Sequence, residues 1–178
     1  GYSPYFGLSL RNDGSSGRAE NCHATALAWV DFDLKGTPYV HGQTDVLNMT
    51  PEELREAAQA LFADVMTRCE ALGLPPRAAV YTGHGLQLYW AQGYAPTKEE
   101  TEARNRALVA EFGAELGADS KTVDIARVFR VPGSQNLKNP ARPLPVEIWH
   151  ADGAASINPE VLDALAQRHA PRSTPAPA

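Results

Sequence analysis

The stretch Ala28-Trp29-Val30-Asp31-Phe32-Asp33-Leu34 joins a run of apolar side chains to two carboxylates. The apolar run predicts a buried strand over residues 24–34. Because strand side chains alternate between two faces, we expect Asp31 and Asp33 to share a face, with Trp29 and Phe32 packed elsewhere. Two neighbouring carboxylates are costly to bury, and a divalent cation such as Mg²⁺ or Mn²⁺ makes such a pair tolerable. The stretch is therefore a candidate metal site, and it is also compatible with a solvated Asp-x-Asp at a strand end.

The size and composition of the chain favour one soluble globular domain. The chain has 178 residues, which is enough for one sizeable core, and 43% of them are apolar. No apolar run approaches the roughly 20 residues of a membrane span, so no membrane association is predicted. Cys22 and Cys69 lie far apart without a CxxC partner. We therefore expect neither a disulfide framework nor a structural zinc site, and a reducing cytoplasm is the predicted location.

The charges are unevenly distributed along the chain. The net charge of −5 argues against a general nucleic-acid coat protein. The acidic residues concentrate in two segments predicted to be helical, 51–72 and 97–117. One later stretch is instead locally basic and carries Lys121, Arg127, Arg130, Lys138 and Arg142. A basic site on an acidic body is compatible with a substrate that carries phosphate groups.

The order of predicted elements indicates an α+β domain over residues 1–170. Thr50 and Thr97 each precede a Glu by three residues, which predicts the starts of two capped helices. Residues 171–178 form a Pro/Ala-rich tail, predicted to be a linker. The other predicted elements are strands over 4–10, 78–82, 86–90, 125–131 and 145–149, and a last helix over 159–169.

A second stretch with functional residue types is Tyr81-Thr82-Gly83-His84-Gly85-Leu86-Gln87-Leu88-Tyr89-Trp90. Glycines on both sides of His84 let backbone N–H groups approach a ligand closely. The Thr82 hydroxyl, His84 and Gln87 are candidate donors to a phosphate oxygen. The simpler interpretation is a tight hairpin turn that needs glycine for its backbone conformation.

The third stretch runs from Asp124 to Lys138, with the sequence Asp-Ile-Ala-Arg-Val-Phe-Arg-Val-Pro-Gly-Ser-Gln-Asn-Leu-Lys. Arg127 and Arg130 suit planar contacts to phosphate, and Lys138 suits a terminal phosphate. Asp124 is a candidate to complete a metal site with the Asp-x-Asp pair. The alternative interpretation is a solvated basic face in which Arg127 pairs with Asp124.

Together the three stretches resemble the archaeo-eukaryotic primase superfamily, in particular the primase-polymerase domains of phage, plasmid and CRISPR-associated replication proteins. That family has a strand with Asp-x-Asp, a glycine-containing hairpin with a His, and an acid ahead of Arg-x-x-Arg-x-Pro-Gly-(Ser/Thr)-x-Asn-x-Lys. The order and spacing agree over roughly residues 4–150. The last motif is the specific one.

The resemblance implies an RRM-like antiparallel sheet with helices, and the site on its open face. It implies a nucleotidyltransferase, a DNA primase or polymerase that copies a single-stranded DNA template from nucleoside triphosphates, with or without a primer, by a two-metal mechanism. The implied ligands of Mg²⁺ or Mn²⁺ are Asp31, Asp33 and Asp124. The implied triphosphate-binding residues are Thr82, Gly83, His84, Gln87, Arg127, Arg130 and Lys138, while Asn136 braces the loop or contacts the sugar.

Two assignments stay open at this stage. The family's His often sits at the position of Gln87, so either His84 or Gln87 contacts the triphosphate. Asp119 is an alternative to Asp124 as the third acid, and Asp124 is preferred because it adjoins the arginine motif. The sequence also leaves open the choice between deoxy- and ribonucleotides, and a helicase or other replication domain is a possible partner beyond the tail.

Two other classes of function compete with the polymerase interpretation. The first is a non-catalytic replication-initiator module that binds single-stranded nucleic acid, but polyanion binding gives no reason to place carboxylates in the groove. The second is a metal-dependent nuclease, since paired Asp residues also serve nucleases. A strand-nicking enzyme would need a His-x-His cluster, which the sequence lacks.

Overall fold

The computed structural model describes residues 3–40 and 46–170, which form a mixed α+β structure. The predicted tail at 171–178 lies outside the described residues. The helices are α1 (Pro51–Leu72), α2 (Lys98–Leu116) and α3 (Pro159–Arg168). The strands are β1 (Tyr5–Gly7), β2 (Leu10–Arg11), β3 (Cys22–Ala24), β4 (Leu27–Asp33), β5 (Ala78–Tyr81), β6 (Gly85–Ala91), β7 (Val128–Arg130), β8 (Gln135–Asn136), β9 (Leu144–Pro145) and β10 (Glu147–Ala151).

The largest sheet is antiparallel and has the strand order β10-β5-β6-β4. Its strands and the first two helices follow one another as β4, α1, β5, β6, α2 and β10, which is the β-α-β-β-α-β order of ferredoxin-like folds. The last strand pairs with β5 and not with β4, so the RRM-like arrangement is not confirmed by this sheet.

Each face of this sheet packs against a different set of elements. Ala28, Val30 and Phe32 of β4 point to the main core, which also contains the buried faces of α1 and α2. Trp29 lies on the other face in a smaller cluster with Val80, Tyr89, Phe129 and Val146. The expectation that Trp29 packs away from the carboxylate face was therefore wrong, because strand alternation places residues 29, 31 and 33 on one side.

The two long helices begin where the sequence predicts. Thr50 accepts a hydrogen bond from the Glu53 backbone N–H, and the Glu53 carboxylate accepts one from the Thr50 N–H. Thr97 and Glu100 form the same capping box at α2. These reciprocal bonds satisfy N–H groups that the first turn leaves free. The described helices include none that is both long and apolar enough to cross a membrane.

The short strands are the part of the fold that sequence patterns missed. The strand expected at 4–10 is divided, because β1 pairs with β7 while β2 pairs with β3. In the ribbon formed by β1 and β7, Phe6 lies opposite Phe129 and both contact the ring of Tyr89 on the main sheet. The ribbon therefore covers part of the second sheet face and leaves the end with the two aspartates open.

Candidate active site

The pairing of β4 with β6 brings the first two motifs together. Asp31 lies opposite Gln87, and Asp33 lies opposite Gly85. The site needs glycine at position 85, because a Cβ atom there would overlap the carbonyl oxygen of Phe32. Gly83 has a φ of +85°, which makes it the residue that closes the turn in front of β6. The hairpin is thus shaped to lie close beside the aspartates.

One pocket, about 180 Å³ in volume, collects most of the predicted site residues. It lies on the face of the sheet opposite α1 and α2, between the open end of β4 and the ribbon. Gly83 and Asp124 are the predicted site residues that do not line it. Those that do are Asp31, Asp33, Thr82, His84, Gln87, Arg127, Arg130, Asn136 and Lys138.

Asp31 is the carboxylate with the most strongly perturbed protonation. Burial raises the pKa of Asp31 to about 7, and the charges of Asp119 and Asp33 add to that shift. A hydrogen bond from Gln87 opposes it by stabilising the carboxylate. The surroundings of Asp31 therefore disfavour its ionised form, which a cation bound beside it would stabilise.

Of the two candidates for the third acid, the structure brings Asp119 to the Asp-x-Asp pair. The Asp119 N–H donates to the carbonyl oxygen of Asp31 at 2.8 Å, and Phe32 forms a β-bridge with Ala118. Asp124 instead forms an ion pair with Arg127 at 2.7 Å. Asp124, which adjoins the arginine motif in sequence, is thus a salt-bridge partner of Arg127. Asp119 lies beside the Asp-x-Asp pair because its segment contacts the free edge of β4.

His84 is held in one orientation by a chain of hydrogen bonds. The Lys138 N–H donates to Asn136 Oδ1 at 2.9 Å, which fixes the orientation of the Asn136 amide. Asn136 Nδ2 then donates to the Thr82 carbonyl oxygen at 2.6 Å and lies 3.2 Å from His84 Nδ1. Nδ1 is therefore the acceptor, and Nε2 carries the proton.

The N–H at Nε2 of His84 is buried and has no partner among the described residues. Burial, with Lys138 as the next contributor, lowers the pKa of His84 to about 4, so the ring is neutral at physiological pH. Gln87, in contrast, already accepts from Tyr89 and donates to Asp31. Of His84 and Gln87, the residue with an unpaired donor in the described structure is consequently His84.

The cations around His84 differ in how firmly they are held. Arg127 is tied to Asp124 and to the Lys121 carbonyl oxygen. Lys138 Nζ lies 3.5 Å from Asp33 Oδ2. Arg130 stacks on the Tyr5 ring, 4.9 Å from its centroid, and keeps one buried Nη1 without a partner in the described structure.

Sequence reasoning gave Tyr5 no role and named Arg142 only as a member of the basic segment. Tyr5 lines the pocket and is 51% exposed, so its ring is available to a ligand. The charge of Arg142 lowers the pKa of His84, which places this guanidinium near the pocket. A predicted strand contains Tyr5 and a basic segment contains Arg142, but neither pattern shows that Tyr5 lines the pocket or that Arg142 lies near His84.

The donor set fits Mg²⁺ or Mn²⁺ provided that a substrate contributes ligands. Within residues 3–40 and 46–170, no group of three or more His, Cys, Asp or Glu side chains is arranged to hold a metal ion. Mg²⁺ is usually held by one or two carboxylates together with substrate phosphates and water. Asp31 and Asp33, next to an unpaired His donor and several cations, match that pattern.

Comparison with solved structures identifies the fold. The AEP domain of the cyanophage S-2L primase-polymerase is similar, with a TM-score of 0.61 and 17% sequence identity, over 93% of this chain and 70% of that chain. The chain has the archaeo-eukaryotic primase fold. Primase RepB′ shares the primase fold at a TM-score of 0.54 and 20% identity, over 84% of this chain and 41% of that chain. No protein-family model and no curated protein matches this sequence.

A third similar structure is the catalytic domain of primase RepB′ in complex with initiator DNA, with a TM-score of 0.51 and 19% identity. The alignment covers 80% of this chain and 59% of that one, so this chain is shorter than either RepB′ chain. The primase fold is thus established by shape, while the residues of the pocket carry the argument about activity.

Proposed function

We propose that this protein is a DNA primase or polymerase, a nucleotidyltransferase that joins nucleotides from nucleoside triphosphates along a single-stranded DNA template. The observation that carries the proposal is the pocket beside β4. It places two carboxylates, one of them with a pKa of about 7, against an unpaired histidine N–H and three cationic side chains. The primase fold of the chain supports the same activity.

In this proposal the triphosphate lies on the hairpin side of the aspartates. The His84 Nε2–H donates to a phosphate oxygen, and Arg130 and Lys138 contact the β- and γ-phosphates. Asn136 fixes the histidine ring and does not touch the substrate. Arg127 braces the loop that contains Asp119, because its guanidinium is already bound to that loop.

The carboxylates act on the other end of the triphosphate. Asp31 and Asp33, with Asp119 preferred over Asp124 as the third acid, would hold Mg²⁺ or Mn²⁺. When bound, such ions lower the pKa of the attacking 3′-hydroxyl and neutralise the leaving pyrophosphate. The 3′-hydroxyl gives its proton to solvent as its oxygen bonds to the α-phosphorus. The bond from that phosphorus to the oxygen bridging the α- and β-phosphates breaks, and pyrophosphate leaves.

The testing experiment measures incorporation of labelled nucleotides on single-stranded DNA with Mg²⁺ or Mn²⁺, with and without a primer. We expect metal-dependent products from the wild-type protein and their loss, by at least about 100-fold, in Asp31→Ala and Asp33→Ala. Asp13→Ala is the matched control, because Asp13 is an exposed carboxylate in a loop that does not line the pocket. The unprimed reaction shows whether the protein initiates chains.

Two results would contradict the proposal. Binding of single strands without incorporation under any metal or nucleotide condition would leave a non-catalytic nucleic-acid-binding module. Shortening of the template, lost in the same two variants, would indicate a metal-dependent nuclease instead.

A further inference from the structure

A second pocket, about 530 Å³ in volume, adjoins the aspartates on the other side of β4. Asp33 lines both pockets, so the two meet at this carboxylate. The first pocket, which contains His84 and most of the other predicted site residues, lies toward β6, the neighbour of β4 in the sheet. The second pocket lies at the opposite edge of β4. No strand of the described sheet pairs with that edge, and residues 117–121 run past it. Its lining residues are Asp33, Lys35, Gly36, Gly113, Gly117, Ala118, Asp119, Ser120 and Lys121.

Backbone contacts build the floor of this pocket and hold it in shape. Ala118 forms a β-bridge with Phe32, and the Asp119 N–H donates to the Asp31 carbonyl oxygen. Gly117 packs so closely on Gly36 that an added Cβ would overlap the Gly36 carbonyl oxygen. The segment from 117 to 121 is thereby fixed against the strand that carries both aspartates.

Two exposed lysines stand at the walls of this pocket. The backbone N–H of Lys35 donates to Asp33 Oδ1, and the backbone N–H of Lys121 donates to Asp119 Oδ1. Each lysine thus lies two residues after a site carboxylate. Within the described residues, neither lysine ammonium forms an ion pair or a hydrogen bond. The two lysines are therefore cations without a bonded partner in the described structure, and they line the same pocket as Asp33 and Asp119.

Nucleotidyl transfer is an in-line displacement, in which the attacking and leaving oxygens lie on opposite sides of the phosphorus. If the triphosphate lies over the hairpin, the acceptor strand must reach the aspartates from the opposite edge of β4. We propose that the second pocket is the acceptor site, where Lys35 and Lys121 bind backbone phosphates of the primer strand near its 3′ end. This inference rests on the proposed function and adds the position of the strand that is extended.

The test is an equilibrium binding measurement, which does not depend on catalysis. A labelled primed template, and the same template without primer, are each titrated with the wild-type protein, Lys35→Ala, Lys121→Ala and the double variant, and binding is followed by fluorescence anisotropy. Each single variant is expected to weaken binding of the primed template about five- to ten-fold at 100 mM salt, without weakening binding of the unprimed template. The slope of log Kd against log salt for primed DNA is expected to fall by about 1 for each lysine.

Lys98→Ala is the matched control, because Lys98 begins α2 whereas the pocket adjoins the other end of that helix. At a rise of about 1.5 Å per residue the two ends of α2 are well separated. Thermal denaturation of each variant checks that the fold is retained, since a lysine beside a helix C-terminus also interacts with the helix dipole.

The outcomes separate this inference from the proposed function. An equal loss of affinity for primed and unprimed DNA would show that the lysines bind the template strand. Unchanged affinity for both would show that the lysines bind neither strand. Either result would overturn the acceptor assignment. In kinetics, we expect the variants to raise KM for the primer while KM for the nucleoside triphosphate stays unchanged. A wild-type protein that discriminates primed DNA through both lysines but incorporates nothing would overturn the proposed function alone.

Discussion

The raised pKa of Asp31 lowers the stability of the native state at neutral and higher pH. Its carboxylate is desolvated beside Asp119 and Asp33, and the result is a pKa near 7. Between the pKa of an unfolded aspartate, 3.8, and about 7, the native state therefore binds a proton that the unfolded state does not. The contribution of Asp31 to stability is highest at low pH and is lost as pH rises through about 7.

The Asp31→Asn variant tests this reasoning. Above pH 7, we expect its free energy of unfolding to exceed that of the metal-free wild type by up to about 4 kcal/mol, while nucleotide incorporation is abolished. The gap should shrink as pH falls from 7 toward 4, and chemical denaturation at several pH values measures it. The lowered pKa of His84 also makes stability depend on pH, but it does so in both proteins. The difference between the two proteins therefore reports on Asp31. A gap that does not change with pH would contradict the shifted pKa.

His84 and Gln87 offer a second prediction about single residues. Because the Nε2–H of His84 is unpaired and Gln87 is occupied, His84→Ala is expected to weaken binding of a non-hydrolysable nucleoside triphosphate about ten-fold. Gln87→Ala should have a smaller effect on that Kd, which calorimetric titration measures. His150→Ala is the control, because that ring lies beside the Pro76 carbonyl oxygen. A larger effect at Gln87 would reverse the assignment.

At the scale of elements, the hairpin formed by β5 and β6 is positioned by a contact that only glycine permits. Gly85 lies opposite Asp33, and its α-carbon rests against the Phe32 carbonyl. The hairpin is therefore packed directly against the Asp-x-Asp strand. The ribbon formed by β1 and β7 fixes the opposite wall, since Phe6 and Phe129 anchor it on Tyr89.

The Gly85→Ala variant tests that contact. We expect it to reduce the free energy of unfolding by about 2–3 kcal/mol, because the added methyl group must push the two strands apart. Incorporation should fall even below the melting temperature, since Asp33 is displaced. Gly14→Ala is the control, because nothing lies within 4 Å of a Cβ at that exposed position. Unchanged stability in Gly85→Ala would contradict the close approach.

At the scale of the whole molecule, the helices are joined at the buried carboxylate of Glu111. It contacts Arg68 of α1 at 2.5 Å, Arg168 of α3 at 3.4 Å and His169 at 2.9 Å. Burial opposes ionisation of Glu111, but its hydrogen bonds to His169 and Arg68 lower its pKa overall. This cluster lines neither of the two pockets beside the aspartates.

Glu111→Ala is therefore expected to affect stability and not the site. Removing one partner of a buried ionic cluster leaves the others unpaired, and we expect a loss of about 2–3 kcal/mol in chemical denaturation. The Kd for a nucleoside triphosphate should stay unchanged at a temperature where the variant is folded. Glu115→Ala, an exposed position on the same helix, supplies the control. A large change in that Kd would show that the cluster supports the site.

Local patterns were sufficient for the long elements. The capping residues Thr50 and Thr97, and the apolar spacing that follows each of them, predicted both long helices, because the determinants lie within one or two turns. The same holds for β4 and for the hairpin. The short strands β3, β8 and β9 were not predicted, since strands of two or three residues depend on pairing with distant segments.

For the site, the sequence determined the chemical groups: two carboxylates at a strand end, a histidine between glycines, and a basic segment with Asn136 and Lys138. Only the tertiary structure decided which of them meet. The bridge from Phe32 to Ala118 brings Asp119 to the pair, while Asp124 binds Arg127. Spacing along the chain limits which residues can come together, but hydrogen bonds between distant strands decide which ones do, as at Asn136, whose amide orients His84 across 52 residues of sequence.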